Sequence, residues 1–157
     1  MSNRTLQLLK QPLKFSWYLW RRLPLAWLMG LKIKDIEQHT CSILLPFKKR
    51  NLNPFKSMYF AAQIAAAELS TGLLLLVAID GKPKISMLVK EVQTNFVKKA
   101  VSDLNFVCRD GKIIEEAINQ AIATREKVEF HAISLGYNKE AEMVCEAKIT
   151  WSIKLKY

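Results

Sequence analysis

The chain has 157 residues, half of them hydrophobic, with 24 Lys and Arg against 14 Asp and Glu and a formal charge of +10. That length fits one domain with a real core, and the absence of degenerate segments or internal repeats excludes a disordered chain or a repeat array. Three scattered cysteines (Cys41, Cys108, Cys145), two histidines and no Cys-x-x-Cys exclude a disulfide framework and a zinc spacing, and suit a reducing, cytoplasmic setting. The basic residues accompany no basic helix and no RNA-binding aromatic pattern, so nucleic acid is not an expected partner. A solvated surface or a phosphate-bearing ligand accounts for the excess instead.

In chain order, "KFSWYLWRRLPLAWLMGLKI" (residues 14–33) is an aromatic, apolar helical stretch cut by Arg21-Arg22 and Pro24. The interruptions exclude a secretory signal and a spanning helix. Trp17, Tyr18, Trp20 and Trp27 beside arginines suit peripheral contact with a bilayer surface. A helix packed on its own domain is the expected arrangement, with residues 1–31 as an extension and 32–157 as the main domain. "KIKDIEQHTCSILLPF" (32–47) reads as a strand ended by Pro46, and "KKRNLN" as a polar loop.

A long helix is predicted from about Pro54 to the mid-70s, with Asn53 as its cap and Pro54 in its first turn. It is alanine-rich up to Ala67 and leucine-rich from Leu73 to Leu76, and it keeps one carboxylate, Glu68, between them. A charge at mid-span opposes membrane insertion. An unpaired buried carboxylate is costly, so Glu68 has either a partner or a task.

"DGK" (80–82) marks a turn, and "PKISMLVKEVQTNFVKKAV" and "DLNFVCR" read as strands. "DGKIIEEAINQAIATRE" changes to helical spacing, with Asp110 as its cap. "KVEFHAISL" is a strand and "GYNKE" a turn. From Met143 to Tyr157 every odd position is apolar, and Val144 alone breaks the polar set between them, which makes a long antiparallel strand with one face on a core. The order predicts an α+β fold: a curved, mostly antiparallel sheet wrapped around one long helix, with an N-terminal helix and a short helix between the third and fourth strands. The alanines let the sheet close around the central helix.

That pattern, with "NPFKSMYFA" leading into a helix that carries a carboxylate, resembles the hotdog-fold acyl-CoA thioesterases. The likeness is greatest to the phenylacetate-pathway-type branch and its relatives with an extra N-terminal helix. In that branch an asparagine precedes a His-Gly-Gly at the helix start and an acid follows along the helix. The separation of Asn53 from Glu68 matches the family spacing, and Tyr59-Phe60-Ala61 stands where His-Gly-Gly would be. "NFVKKAVSD" is similar to the family's stretch leading into the next strand.

The resemblance implies that Glu68 is the general base or nucleophile, acting on the thioester across a dimer interface. Asn53 would orient the thioester or the attacking water, and the Phe60 backbone N–H would polarise the carbonyl. Tyr59, Ser57 and Thr94 would contact substrate. The family's water-holding hydroxyl falls near Val89, with Thr94 and Ser86 the nearest hydroxyls. An acyl-CoA or other acyl thioester is the implied partner, in a homodimer or dimer of dimers, with no metal and no cofactor.

The residues leave other readings open. Glu68 could pair with a lysine at an interface, Asn53 could be a plain cap, and Tyr59 could be core packing. His39 and His131 read as structural. With Phe60 and Ala61 in place of glycines, the alternative function is a non-catalytic hotdog protein that binds acyl chains or serves as a peripheral membrane or protein partner.

Overall fold

The computed structural model describes residues 3–156. The N-terminal stretch forms three short helices rather than one: α1 (Arg4–Leu9), α2 (Pro12–Arg22) and α3 (Pro24–Met29). Pro12 and Pro24 each open a helix, where their fixed φ suits the first turn and their missing N–H ends the preceding run. Gly30, at φ 75°, closes α3 in the left-handed conformation and turns the chain into the sheet.

The main domain runs β1 (Lys32–Ile36), β2 (Cys41–Leu45), α4 (Phe60–Ala78), β3 (Ile85–Phe96), β4 (Leu104–Cys108), α5 (Gly111–Thr124), β5 (Val128–Tyr137) and β6 (Met143–Leu155). The strands form one antiparallel sheet in the order β1-β2-β4-β5-β6-β3. It wraps around α4, the arrangement expected from the sequence. The short helix, α5, lies between β4 and β5 because the first predicted strand is two.

Three boundaries differ from the sequence reading. Residues 32–47 fold as a hairpin, closed where Glu37 N donates to Thr40 O at 2.8 Å across the polar Glu37–Thr40 turn. α4 begins at Phe60, not near Pro54, because Lys56 takes φ 60°, a left-handed geometry no helix passes through. Asn53 therefore does not cap α4. Asp110 holds the N-cap position of α5 as expected, but its side chain makes no capping hydrogen bond; its carboxylate accepts instead from Ile133 N at 2.7 Å, which ties the helix start to β5. Strand β3 stops at Phe96. On β6 the odd residues Cys145, Ala147, Ile149, Trp151 and Ile153 are buried as the alternation implies; Tyr157 lies outside the described residues. Thr150 and Ser152 on the other face are buried too, flanked by β3 and β5, and Thr150 shares a 3.0 Å hydrogen bond with His131.

The core explains the alanines. Ala62, Ala66 and Ala67 are fully packed under the sheet, and Leu73, Leu74 and Leu75 fill the wider end. α4 contacts β2, β4, β5, β6 and α5, and α1 and α3 as well. Among the described residues it is the one helix long and apolar enough to cross a membrane, and here it is the core of the domain. Two polar links pin it to the sheet: Trp151 Nε1 donates to Thr71 Oγ1 at 3.0 Å, and Ser70 and Ser134 share a bond of 2.8 Å. All three cysteines are free and buried.

Leu6, Leu9, Phe15 and Leu19 of the N-terminal helices are buried in that same core. Leu19 is only 1% exposed. Leu19→Ala is expected to lower the unfolding free energy by about 3 kcal/mol, within the range for a buried leucine truncation. Urea titration checks this; a change within about 0.5 kcal/mol, as for an ordinary surface position, would contradict the packing of α2 on the domain.

Candidate active site

The segment between the 3-10 turn at Lys49–Asn51 and α4 is held by its asparagines. Asn51 is 2% exposed, and its Nδ2 donates to Met29 O and Pro46 O, both at 2.9 Å. Its carbonyl accepts from Tyr59 N at 2.8 Å, so one residue joins α3, the end of β2 and the start of α4. Asn53 organises the loop itself: Oδ1 accepts from Phe55 N at 2.9 Å and Ser57 N at 3.2 Å, and Nδ2 donates to Ser57 Oγ at 3.0 Å. This is the side-chain turn for which asparagine is suited, and it delivers the chain to Tyr59.

No side chain caps α4. The N–H groups of Phe60 and Ala61 consequently have no acceptor among the described residues, and they carry the positive end of the helix dipole. Beside them Phe60 lines a depression of about 340 Å³ together with Asn53, Ser57, Gln63, Phe96 and Lys99. Asn53, Ser57 and Phe60 are thus brought together as the sequence implied. Tyr59 and Phe60 are 46% and 52% exposed and meet edge to face at 4.9 Å; Phe60 meets Phe96 edge to face at 6.5 Å. Thr94 lies on the same face of β3 as Phe96 but does not line the depression; its Oγ1 is buried without a partner.

Glu68 stands apart. Eight residues at roughly 1.5 Å each put it about 12 Å along the helix from Phe60. Its half-buried carboxyl makes no hydrogen bond or ion pair among the described residues. The room for it comes from Gly72, where a β-carbon would lie 3.2 Å from Glu68 Oε1 and 3.6 Å from the Trp151 ring. Burial pushes its pKa above the ordinary carboxylate value. Tyr18 of α2 is near enough for its own pKa to rise, chiefly through burial, with Arg22 opposing and Glu68 adding to the rise. Among the described residues of the chain no lysine pairs with it.

Two features of the site were missed in the sequence. Gln63 is 5% exposed, donates to Met58 O at 3.3 Å and leaves Oε1 without a partner. It is the one polar residue between Phe60 and Glu68, which was a usable sign. Lys98 and Lys99 were visible as a basic pair, but only the end of β3 places them at the depression.

A family model described as a domain of unknown function (DUF4442) matches residues 12–153. No curated protein matches the sequence. Among solved structures, a Pseudomonas aeruginosa protein named as a probable thioesterase is 21% identical, covers 92% of this chain and 97% of its own, and superposes with a TM-score of 0.76. A Haemophilus influenzae thioesterase is 13% identical over 92% of this chain and 91% of its own, with a TM-score of 0.68. A Staphylococcus aureus protein, solved with a glutamate replaced by alanine, is 17% identical over 84% of this chain and 99% of its own, at 0.63. It was also solved with a glutamine replaced by alanine, at the separation that divides Asn53 from Glu68. Such identities show a shared fold, the hotdog.

The raised pKa of Glu68 has a consequence for stability. The folded state holds this proton more tightly than the unfolded chain, whose glutamate titrates near 4.5. The contribution is therefore present below that pH and is lost as pH rises through the folded value. Glu68→Gln is expected to raise the melting temperature near neutral pH and to have much less effect at pH below 4.5. Calorimetric melts across that range test it; a variant less stable than the wild type at neutral pH would show that the carboxylate has a stabilising partner.

Proposed function

The chain belongs to the DUF4442 family, and from that premise we propose that it hydrolyses acyl thioesters, either acyl-CoA or an acyl carrier's thioester, at a site shared between two subunits. The observation that carries this reading is Glu68: a desolvated carboxylate with no partner, on a helix whose N-terminal N–H groups are also unengaged. The substrate carbonyl oxygen would accept from Phe60 N–H, which stabilises the oxyanion as it develops. Asn53 would orient the thioester or the water. Glu68 of the partner subunit, its basicity raised by burial, would take the proton of the attacking water or attack the carbonyl carbon itself. On the general-base route the tetrahedral intermediate collapses with cleavage of the C–S bond, and the proton that Glu68 took from water passes to the sulfur. On the nucleophilic route departure of the thiolate leaves an acyl-glutamyl anhydride, which water hydrolyses to the acid and free Glu68. Lys99 is the proposed contact for carrier phosphates, Lys98 being paired with Glu142. Tyr59 and Ser57 are the proposed substrate contacts; Thr94 lies off the depression and is not proposed to touch substrate. The S. aureus protein has a glutamine and a glutamate at the same separation, which supports reading Asn53 and Glu68 as a pair.

Sharing follows from the 12 Å gap and from β3. This strand has 12 residues and ends the sheet, with Leu88 64% exposed on it. An open edge of that length is suited to pairing with a second copy. Dimers, alone or paired into tetramers, are the proposed assembly. The specific observation favouring a non-catalytic, acyl-binding protein is Phe60 itself, whose ring against Phe96 occupies ground that glycines would leave open.

A panel of acyl-CoAs assayed for released thiol tests the proposal. With folding confirmed by melts, Glu68→Gln is expected to lower turnover by about 10²–10⁴-fold. Phe60→Pro removes only the N–H at a position where proline is favoured, and Tyr59, at φ −64° and ψ 133°, already has the geometry a following proline needs. It is expected to cost about 10²–10³-fold relative to Phe60→Ala, the loss of one oxyanion donor. Unchanged turnover in both variants would remove Glu68 and the Phe60 N–H from the mechanism, and no turnover by the wild type on any substrate assigns the protein to the binding reading. In sedimentation equilibrium the protein is expected to be at least a dimer at micromolar concentration; a monomer removes the shared site.

A further inference from the structure

Helix α2 is apolar on two opposite sides. Phe15 and Leu19 face the core, at 4% and 1% exposure. Leu13, Trp17 and Trp20 face outward at 87%, 60% and 54%. At roughly 100° per residue these three fall within about 60° of one another, on the side away from Phe15 and Leu19. α3 continues the surface: it buries no residue, and Leu25, Trp27 and Leu28 are 63%, 45% and 58% exposed. None of these six side chains is in the buried core, and large apolar side chains concentrated on two adjacent short helices mark an interaction surface.

Charge selects the partner. No acidic residue precedes Asp35, and Lys14 and Arg21 flank the outward stripe of α2. The Arg21 guanidinium lies 5.6 Å from the centre of the Trp17 ring. A second copy docked by this surface would set these cations against their own kind. We propose that α2 and α3 dock the protein on an anionic lipid bilayer, lying in the plane of the headgroups. The indole rings and leucines would enter the boundary of the acyl region, where tryptophan is favoured, while Lys14 and Arg21 meet lipid phosphates. This inference stands independently of the thioesterase reading.

Flotation of the full chain with vesicles tests it, comparing phosphatidylcholine alone with phosphatidylcholine containing phosphatidylglycerol. The protein is expected to float with the anionic vesicles only, with tryptophan emission shifted to shorter wavelength, and to be released by high salt. Trp17→Ala with Trp20→Ala removes exposed side chains, so the fold should hold while flotation is lost. Lys14→Gln with Arg21→Gln is expected to weaken vesicle binding roughly 30-fold, two charges at the usual contribution of each. No flotation, equal flotation with both vesicles, or flotation kept by the tryptophan variant would overturn the proposal. So would a change of oligomeric state in that variant, which would assign the surface to a second copy.

Discussion

A helix that is apolar on every side has to be covered on every side, and α4 is such a helix. Its alanine half accepts close approach of the sheet, and its leucine half fills the space where the sheet is further away. The remaining side is covered by the N-terminal helices, which place Leu6, Leu9, Phe15 and Leu19 in the same core. Along one stripe, from Ala61 through Ala65, Glu68 and Gly72 to Leu76, the covering is incomplete and the residues are only half-buried. Glu68 lies on that stripe. Its environment is dry enough to raise its pKa yet not sealed, which is the condition a basic carboxylate needs if a second molecule is to reach it.

The loop ahead of α4 shows how the other half of the site is fixed. Asn51 holds the position of the helix N-terminus from below, through carbonyls of two separate elements. Asn53 is engaged within its own loop, so a substrate would have to share or displace the bond to Ser57 Oγ. The donors that are free without rearrangement are the backbone N–H groups of the first helical turn, which no side chain caps. Position and charge there are supplied by the backbone and do not depend on the side chains of Tyr59, Phe60 and Ala61.

Elements with strong periodicity were legible in the sequence. β6 showed its buried face at alternate residues, α5 its helical spacing, and α4 its apolar run with a single acid. Boundaries set by local backbone geometry were not. Asn53-Pro54 is a good helix opening by residue type, and only the left-handed Lys56 shows that it opens a turn instead. Asp110 has the composition of a cap, but a β5 amide competes for its carboxylate. At the site, Asn53, Ser57 and Phe60 were legible because they are neighbours in sequence. Gln63 joins them three residues after Phe60 on the same helix, a spacing that was there to be read, whereas Lys99 joins them only because the chain leaving β3 passes Phe60, which spacing along the chain does not encode.

The sheet order carries a kinetic consequence. The last strand made, β6, is interior, between β5 and β3. Until it is in place β3 has no neighbour within the chain, and the part of α4 that packs against Trp151 and Ile149 is uncovered. Folding of this domain is therefore completed only after β6 has been synthesised, with pairings between distant segments that close slowly. During that interval the most apolar helix of the protein is present without its full covering. The N-terminal helices emerge first, and their early packing on α4 would shield it from aggregation while the sheet is still unfinished.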